Sequence, residues 1–306
     1  MSDTLESLHR KINGAGDLES VVRTMKVLAA SNILQYERAV SSLNDYYLTI
    51  ELGLLACFRK AGEFAATEKK WKQETNAAGA VVFGSDQGLV GQFNDVLSTY
   101  AGDMLKNLPG EKQIWAVGER MQARLEDAGF ALAGLYAVPN SVSTITPLIG
   151  QILLESEAHR EKGEFSQLYI FYNRPKPQTI YEPVVQRLLP LDEKWYDRVA
   201  QLKWPTYKIP EAMNGVEPVL HGLIRQYLFI SLFRACAESL ASENASRLAA
   251  MQRAEKNIDE LLDDLNRAFH RLRQSTIDEE LFDVISGSEA LTDHKEYSGK
   301  FPDRKL

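Results

Sequence analysis

Cysteine is almost missing from this chain. The two present in 306 residues, Cys57 and Cys236, lie far apart and show no CxxC spacing. That excludes a disulfide scaffold and a thiolate zinc cluster, and leaves two buried thiols in a reducing compartment as the expectation. Long apolar runs are also missing: the longest, around Leu52 to Phe58 and Tyr227 to Phe233, reach about seven residues, against the ~20 needed to cross a bilayer. The opening residues Met1-Ser2-Asp3-Thr4-Leu5-Glu6 carry acids where an export signal would be basic, so no such signal is expected. Positive charge is not in excess either. Thirty-five Lys and Arg against 42 Asp and Glu give a net charge of -7 and a pI near 5.4, and no basic run tracks a phosphate backbone, so nucleic acid is not an expected ligand. The histidines, His9, His159, His221, His270 and His294, form no HxH or HxxxH pair, and no metal site is expected from them. No GxSxG serine and no Cys beside a His signals covalent catalysis. Finally, proline is absent before Pro109 and from Val219 through Leu291.

What fills those proline-free stretches is heptad periodicity. Leu18, Val22, Met25, Ala29, Asn32, Tyr36, Ala39, Leu43, Tyr46 and Ile50 follow at alternating steps of four and three, with Asn32 the one polar member. Gly14 and Gly16 should weaken this helix by ~1 kcal/mol each, so a loosened turn is expected near residue 15. A second seam runs through Ile258, Leu262, Leu265, Phe269 and Leu272, with Leu220, Ile224, Tyr227, Leu248 and Met251 upstream. Helices over 3–59 and about 218–287 would measure ~84 Å and ~105 Å. Such lengths bury their stripes only by pairing, and the economical pairing is an antiparallel coiled coil of the two ends.

Between the arms the pattern changes. After a polar connector from Lys60 to Asn76, short apolar runs at 80–83, 113–117, 168–172 and 179–189 read as strands. They alternate with helical stretches at 93–106, 119–128 and 147–162. The chain therefore reads as an α/β protein: a long antiparallel coiled coil of N- and C-terminal helices with an inserted small Rossmann-like α/β domain. The expected segments are 1–59 (N-terminal helix), 60–79 (connector), 80–210 (α/β domain), 211–291 (C-terminal helix) and 292–306 (a mixed-charge tail). Gly84-Ser85-Asp86-Gln87-Gly88-Leu89-Val90-Gly91 follows the first strand, where glycines can let backbone N–H groups cradle a phosphate. Its spacing is GxxxGxxG, no Lys-Ser/Thr follows, and a turn built on positive-φ glycines is the expectation. Acid pairs such as Asp263-Asp264 and Glu279-Glu280 read as solvated helix faces. No catalytic residue and no cofactor is expected.

Both arms carry family-like motifs. Ile12-Asn13 through Val21-Val22-Arg23-Thr24-Met25-Lys26-Val27-Leu28-Ala29-Ala30-Ser31 resembles the opening helix of the gamma subunit of F-type ATP synthases. Glu238-Ser239-Leu240-Ala241-Ser242-Glu243-Asn244-Ala245-Ser246-Arg247, Arg273-Gln274-Ser275-Thr276-Ile277 and Ile285-Ser286-Gly287-Ser288-Glu289-Ala290-Leu291 resemble its carboxyl helix. Ser85 through Asn94, Glu182-Pro183-Val184 and Leu188-Leu189-Pro190 are similar to its middle. The resemblance covers about residues 3 to 291 and implies a rotor shaft that couples ion flow to ATP synthesis or hydrolysis. The implied partners are three alpha and three beta subunits, epsilon and the membrane c-ring, at the cytoplasmic face of a bacterial inner membrane. It implies no catalytic site on the chain itself, and contacts to beta by Arg23, Met25, Lys26, Arg273, Gln274, Asp278 and Glu280.

The chain departs from the family in two respects. The family's first helix is strongly basic, whereas residues 1–59 here hold six Lys and Arg (Arg10, Lys11, Arg23, Lys26, Arg38, Arg59) against seven Asp and Glu. The family ends near the Ser-Gly-x-x-Ala-Leu motif, whereas 15 residues follow Leu291 here. Together these resemble an alternate, sodium-coupled bacterial branch. Two other readings remain open from residues alone: a nucleotide-binding α/β enzyme using Gly84–Gly91 with helical oligomerisation arms, and a free-standing coiled-coil scaffold.

Overall fold

The computed structural model describes residues 4–61, 77–191, 193–204, 206, 208 and 215–297. Residues 62–76 of the expected connector 60–79, the segment 209–214 and tail residues 298–306 lie outside them. The elements are α1 (Leu5–Ser42), α2 (Asn44–Ala61), β1 (Ala78–Phe83), α3 (Phe93–Asn107), β2 (Lys112–Val117), α4 (Glu119–Asp127), β3 (Gly134–Tyr136), α5 (Val142–Glu161), β4 (Gln167–Lys176), β5 (Thr179–Leu189), α6 (Glu193–Ala200) and α7 (Val216–Tyr297). Long terminal helices around a small α/β sheet are thus present, as the sequence predicts. They fall into two compact units, Lys26–Ala250 and Met1–Met25 with Met251–Leu306.

In the unit Lys26–Ala250 the sheet order is β3-β2-β1-β4-β5. The first four strands run parallel and β5 returns antiparallel to β4. Central β1 reads Ala-Gly-Ala-Val-Val-Phe and is buried along its whole length, as a parallel strand covered on both faces must be. Edge strand β5 tolerates Pro183 because an edge leaves N–H positions unpaired, and Pro175 of β4 lies beyond the stretch that pairs with β1. Alternate residues of β1 feed two cores. Ala80 and Val82 pack with Leu97, Ala101 and Leu105 of α3 and with Met121 and Leu125 of α4. Val81 and Phe83 face the larger core that α5, α2 and the first part of α7 complete through Ile149, Leu54 and Leu240. β3 and α6 escape sequence reading, β3 because three residues carry no periodicity and α6 because its eight residues fall in a polar stretch.

The helical pairing in this unit is antiparallel: Asn32 meets Asn244 at 3.3 Å, while Tyr47 meets Tyr227 with ring centroids 5.8 Å apart. As the N-terminal side advances, the other retreats. A polar pair in a seam fixes register at some expense of stability, and Asn32–Asn244 fits that role. The expected loosened turn near residue 15 does not form. Gly14 and Gly16 stay inside α1, and the break falls at Leu43. That break shifts the seam's phase, so Tyr47 replaces Tyr46, which is left exposed, and Ile50 and Leu54 follow buried.

In the unit Met1–Met25 with Met251–Leu306, α1 and α7 are again antiparallel, since Arg23 lies 3.5 Å from Glu255 and His9 stacks toward Phe269 at 6.2 Å. The far seam holds as expected, with Ile258, Leu262, Leu265, Phe269 and Leu272 half-buried. The near one holds at Val22 and Met25, both half-buried, and departs at Leu18. Leu8 and Ala15 are buried and Glu19 takes the next slot, so Leu18 stands off the seam and is exposed. Thr292–Tyr297, the first residues of the mixed-charge tail, continue α7, consistent with a stretch that contains neither Gly nor Pro.

Candidate functional site

In an open α/β sheet, ligands bind beyond the carboxyl ends of the strands, where the strand order reverses. Here that point lies between β1 and β4, and α7 fills it. Ser239 Oγ donates to the Phe83 carbonyl at 3.2 Å, Ser242 Oγ to the Asn173 carbonyl at 3.0 Å and Ser246 Oγ to the Val90 carbonyl at 2.5 Å. Asn173, at the end of β4, donates from its side chain to the Phe93 carbonyl at 3.0 Å. All four side chains are buried. Spacings of three and four put the serines on one face of α7, small enough for a helix to approach strand ends and polar enough to satisfy the carbonyls there.

The glycine-rich loop serves the same closure. Asn94 accepts from the Ser85 N–H at 3.1 Å and donates to Ser85 Oγ at 2.8 Å. Asp86 accepts from the Glu119 N–H at 3.0 Å and from the Val138 N–H at 2.9 Å, so its carboxylate occupies the N-terminus of α4 where a ligand's phosphate would otherwise sit. The positive-φ turn is carried by Leu89 (φ 62°) and Gly91 (φ 59°) rather than by all the loop's glycines. Gly84 is required for closeness instead: a Cβ there would meet Met121 Cβ at 2.3 Å. Gly118 opposes it at φ 107°, with Ser85 backbone 2.7 Å from any added Cβ.

Behind the serines sits a charged pair. Glu243 and Arg247 meet at 2.6 Å, and burial pushes the Glu243 carboxyl above its ordinary range while Arg247 partly opposes the shift. Tyr36 is pushed up to about 12, first by burial. Cys57 and Cys236 are free, buried thiols, both raised by burial.

The residues assigned to beta contact fall elsewhere. Arg23 is exposed and pairs with Glu19 as well as Glu255, Met25 is half-buried, and Lys26, half-buried, opens the other unit. Arg273, Gln274, Asp278 and Glu280 are exposed on α7. Since Arg23 meets Glu255, Arg273 lies 18 residues further along, about 27 Å of helix axis. Arg23 and the Arg273 group are therefore separate sets. Around the latter, Ile277, Leu281, Phe282, Val284 and Ile285 are exposed, Phe282 at 68% and Val284 at 69%. Sequence reading missed this apolar surface and the Ser239, Ser242, Ser246, Asn173 and Asp86 set. The only signal for the latter was the serine spacing within the carboxyl-helix motif.

A sequence model of the family described as ATP synthase matches residues 4–291. The chain belongs to the ATP synthase family. The ATP synthase gamma chain of Salinibacter ruber is 25% identical over 305 residues, covering 94% of this chain and 98% of that one. The fold matches a chain of the Euglena gracilis mitochondrial ATP synthase (OSCP, F1 and c-ring, rotational state 3) with a TM-score of 0.62 at 15% identity, covering 99% of this chain and 98% of the other. A chain from the central stalk and c-ring of the Tetrahymena thermophila mitochondrial ATP synthase matches with a TM-score of 0.55 at 21% identity, over 76% of this chain and 99% of the other. The ATP synthase match therefore takes in both helical arms and the sheet, including every motif that carried the resemblance.

Proposed function

We propose that this chain is the rotor shaft of a rotary ATP synthase, carrying no catalytic site of its own and coupling ion flow to the chemistry of partner subunits. The family match over 4–291 supports the reading most directly. The apolar residues left exposed on α7 at 277–285 support it further, because a contiguous exposed apolar surface marks a protein interaction site and a shaft turning in a sleeve needs one. The partners are three alpha and three beta subunits, with epsilon and the c-ring at the other end. Arg23, Met25, Lys26, Arg273, Gln274, Asp278 and Glu280 meet beta. No described helix is long and apolar enough to cross a membrane, and the chain attaches to the cytoplasmic face of the inner membrane through those partners. An asymmetric shaft drives the beta sites through different conformations only by making different contacts with each, so torque is a difference in contact free energy.

The test is co-expression with alpha and beta subunits, isolation of the particle and measurement of ATPase turnover with and without the chain. A 3:3:1 particle whose sustained turnover depends on the chain is the expected result. A chain that stays outside the alpha–beta ring overturns the proposal.

A further inference from the structure

A cavity of about 640 Å³ opens in the unit Lys26–Ala250, walled by β4, β5, α6, α2 and α7. Four different elements each send one guanidinium to its wall: Arg174 from β4, Arg187 from β5, Arg198 from α6 and Arg234 from α7. No carboxylate lines it. Carboxylates stand behind instead, Glu182 at 2.5 Å from Arg174, Glu51 at 2.9 Å from Arg198 and Glu238 at 2.7 Å from Arg234. Each of those contacts engages one nitrogen of a group with several N–H donors, so the pairing orients the guanidiniums without exhausting them. Two of the carboxylates are themselves buried, with side-chain exposures of 9% for Glu51 and 7% for Glu238, while Arg198 and Arg234 keep 58% and 43%. The cations thus point toward the open side and the anions away from it.

We propose that this cavity binds a phosphate-bearing anion. A guanidinium presents paired donors that match phosphate oxygens, and four converging from separate elements surround such a group as no single helix end does. Hydroxyl-bearing side chains complete the wall. Tyr172 and Tyr227 line the cavity, with Glu238 beside the first phenol and Tyr47 beside the second, and burial pushes the Tyr172 phenol up to about 12. Ser231, 3% exposed, also lines it, and its Oγ has the Tyr227 hydroxyl as a polar neighbour but no partner of good geometry among the described residues. A buried hydroxyl left so costs free energy until something accepts from it or donates to it. The volume falls within the range of small-molecule sites and exceeds what one inorganic phosphate needs, which favours a diphosphate or a phosphate carrying an organic group.

The test is calorimetric titration of the full chain with inorganic pyrophosphate, at low and at physiological salt. The same protein is also floated with phosphatidylcholine vesicles with and without phosphatidic acid. The variants are Arg174→Gln with Arg187→Gln, which leave the buried Glu51 and Glu238 paired, and Ser231→Ala. Arg174→Lys with Arg187→Lys keeps the charge, and circular dichroism checks the fold of each. The glutamine pair should weaken pyrophosphate binding about tenfold or more, and the lysine pair should recover part of it. Pyrophosphate binding that responds to these variants assigns the cavity to a soluble phosphate compound. Flotation on phosphatidic acid that responds to them assigns it to a lipid headgroup, and either result upholds the proposal. Pyrophosphate that fails to bind, or binds equally to all variants, with flotation equally indifferent, overturns it. So does binding of a polyglutamate peptide in place of both, which would give the cavity to an acidic protein segment. None of these readouts depends on assembly with alpha and beta, so failure here and failure of the rotor proposal are separable.

Discussion

The two compact units bury their apolar residues to different depths. In Lys26–Ala250, Ala80, Val81, Val82, Leu97, Met121 and Leu125 are fully enclosed between a sheet and helices on both its faces. In Met1–Met25 with Met251–Leu306, the seam residues Ile258, Leu262, Leu265 and Phe269 are only half-buried, and Phe282 and Val284 are open to solvent. Two helices packed side by side enclose only a few residues, here Leu8, Ala15 and Met251, whereas a layered sheet encloses most of its apolar side chains. The first unit therefore holds most of its own stabilisation internally. The second leaves apolar area for something outside the chain to cover, which is what a shaft inside a sleeve would require.

The same truncation in each unit tests this contrast most strongly. Leu97→Ala, at 0% exposure, should cost roughly 2–5 kcal/mol, because both the transfer free energy and the cavity count against it. Leu265→Ala, half-buried, should cost about 1 kcal/mol. Urea unfolding of the full chain measures both, and equal costs would remove the distinction. A second test loads charge onto the open seam. Leu262→Asp with Leu265→Asp should cost about 3 kcal/mol by forcing carboxylates against a partner helix. The described tryptophans, Trp115, Trp195 and Trp204, lie within Lys26–Ala250, so the fluorescence midpoint should stay put while the far-UV helical signal melts earlier. A fluorescence midpoint that falls with it would show that the sheet unit depends on the distal coil.

The arms were legible because a stripe repeated over many turns survives small errors of phase. The errors are instructive all the same. Leu18 looked like a seam residue by type, but Glu19 holds the slot, since a step of three from Val22 replaces one of four; the Glu19 carboxylate is matched by Arg23. Tyr46 was displaced by a break at Leu43 that no Gly or Pro announces. The sheet's long strands were legible from β-branched runs, and three-residue β3 was not. The serines that plug the crevice were illegible in principle, because mid-helix serines at steps of three and four look the same whether they face water or strand ends. Arg273 and Gln274 carry no physical signal of a role beyond exposure, and only the family motif singles them out.

Serines make the third test, since α7 carries them in both units. Ser242→Ala removes the donor to the Asn173 carbonyl inside the crevice and should cost about 1–3 kcal/mol. Ser275→Ala, exposed on the distal part of the same helix, should fall within about 0.5 kcal/mol of the parent. Equal effects would mean that the hydroxyls in the crevice are spectators and that small size alone admits the helix.

The smallest effect concerns a buried charge in the sheet unit. Burial raises the Glu243 carboxyl above its ordinary 4.5, and Arg247 only partly offsets it. The folded chain therefore holds that proton more tightly than the unfolded chain does. Glu243's contribution is fully present below about pH 4.5 and is lost as pH rises through the raised value, so ionisation at neutral pH costs stability. Glu243→Gln cannot ionise. Its urea midpoint relative to the parent should thus improve from pH 4.5 toward about pH 7, by less than the truncations above. An unchanged difference between the two pH values would mean that Arg247 compensates the burial in full. An improvement confined to the higher pH would show that the helix closing the crevice carries a charge its surroundings only partly accommodate.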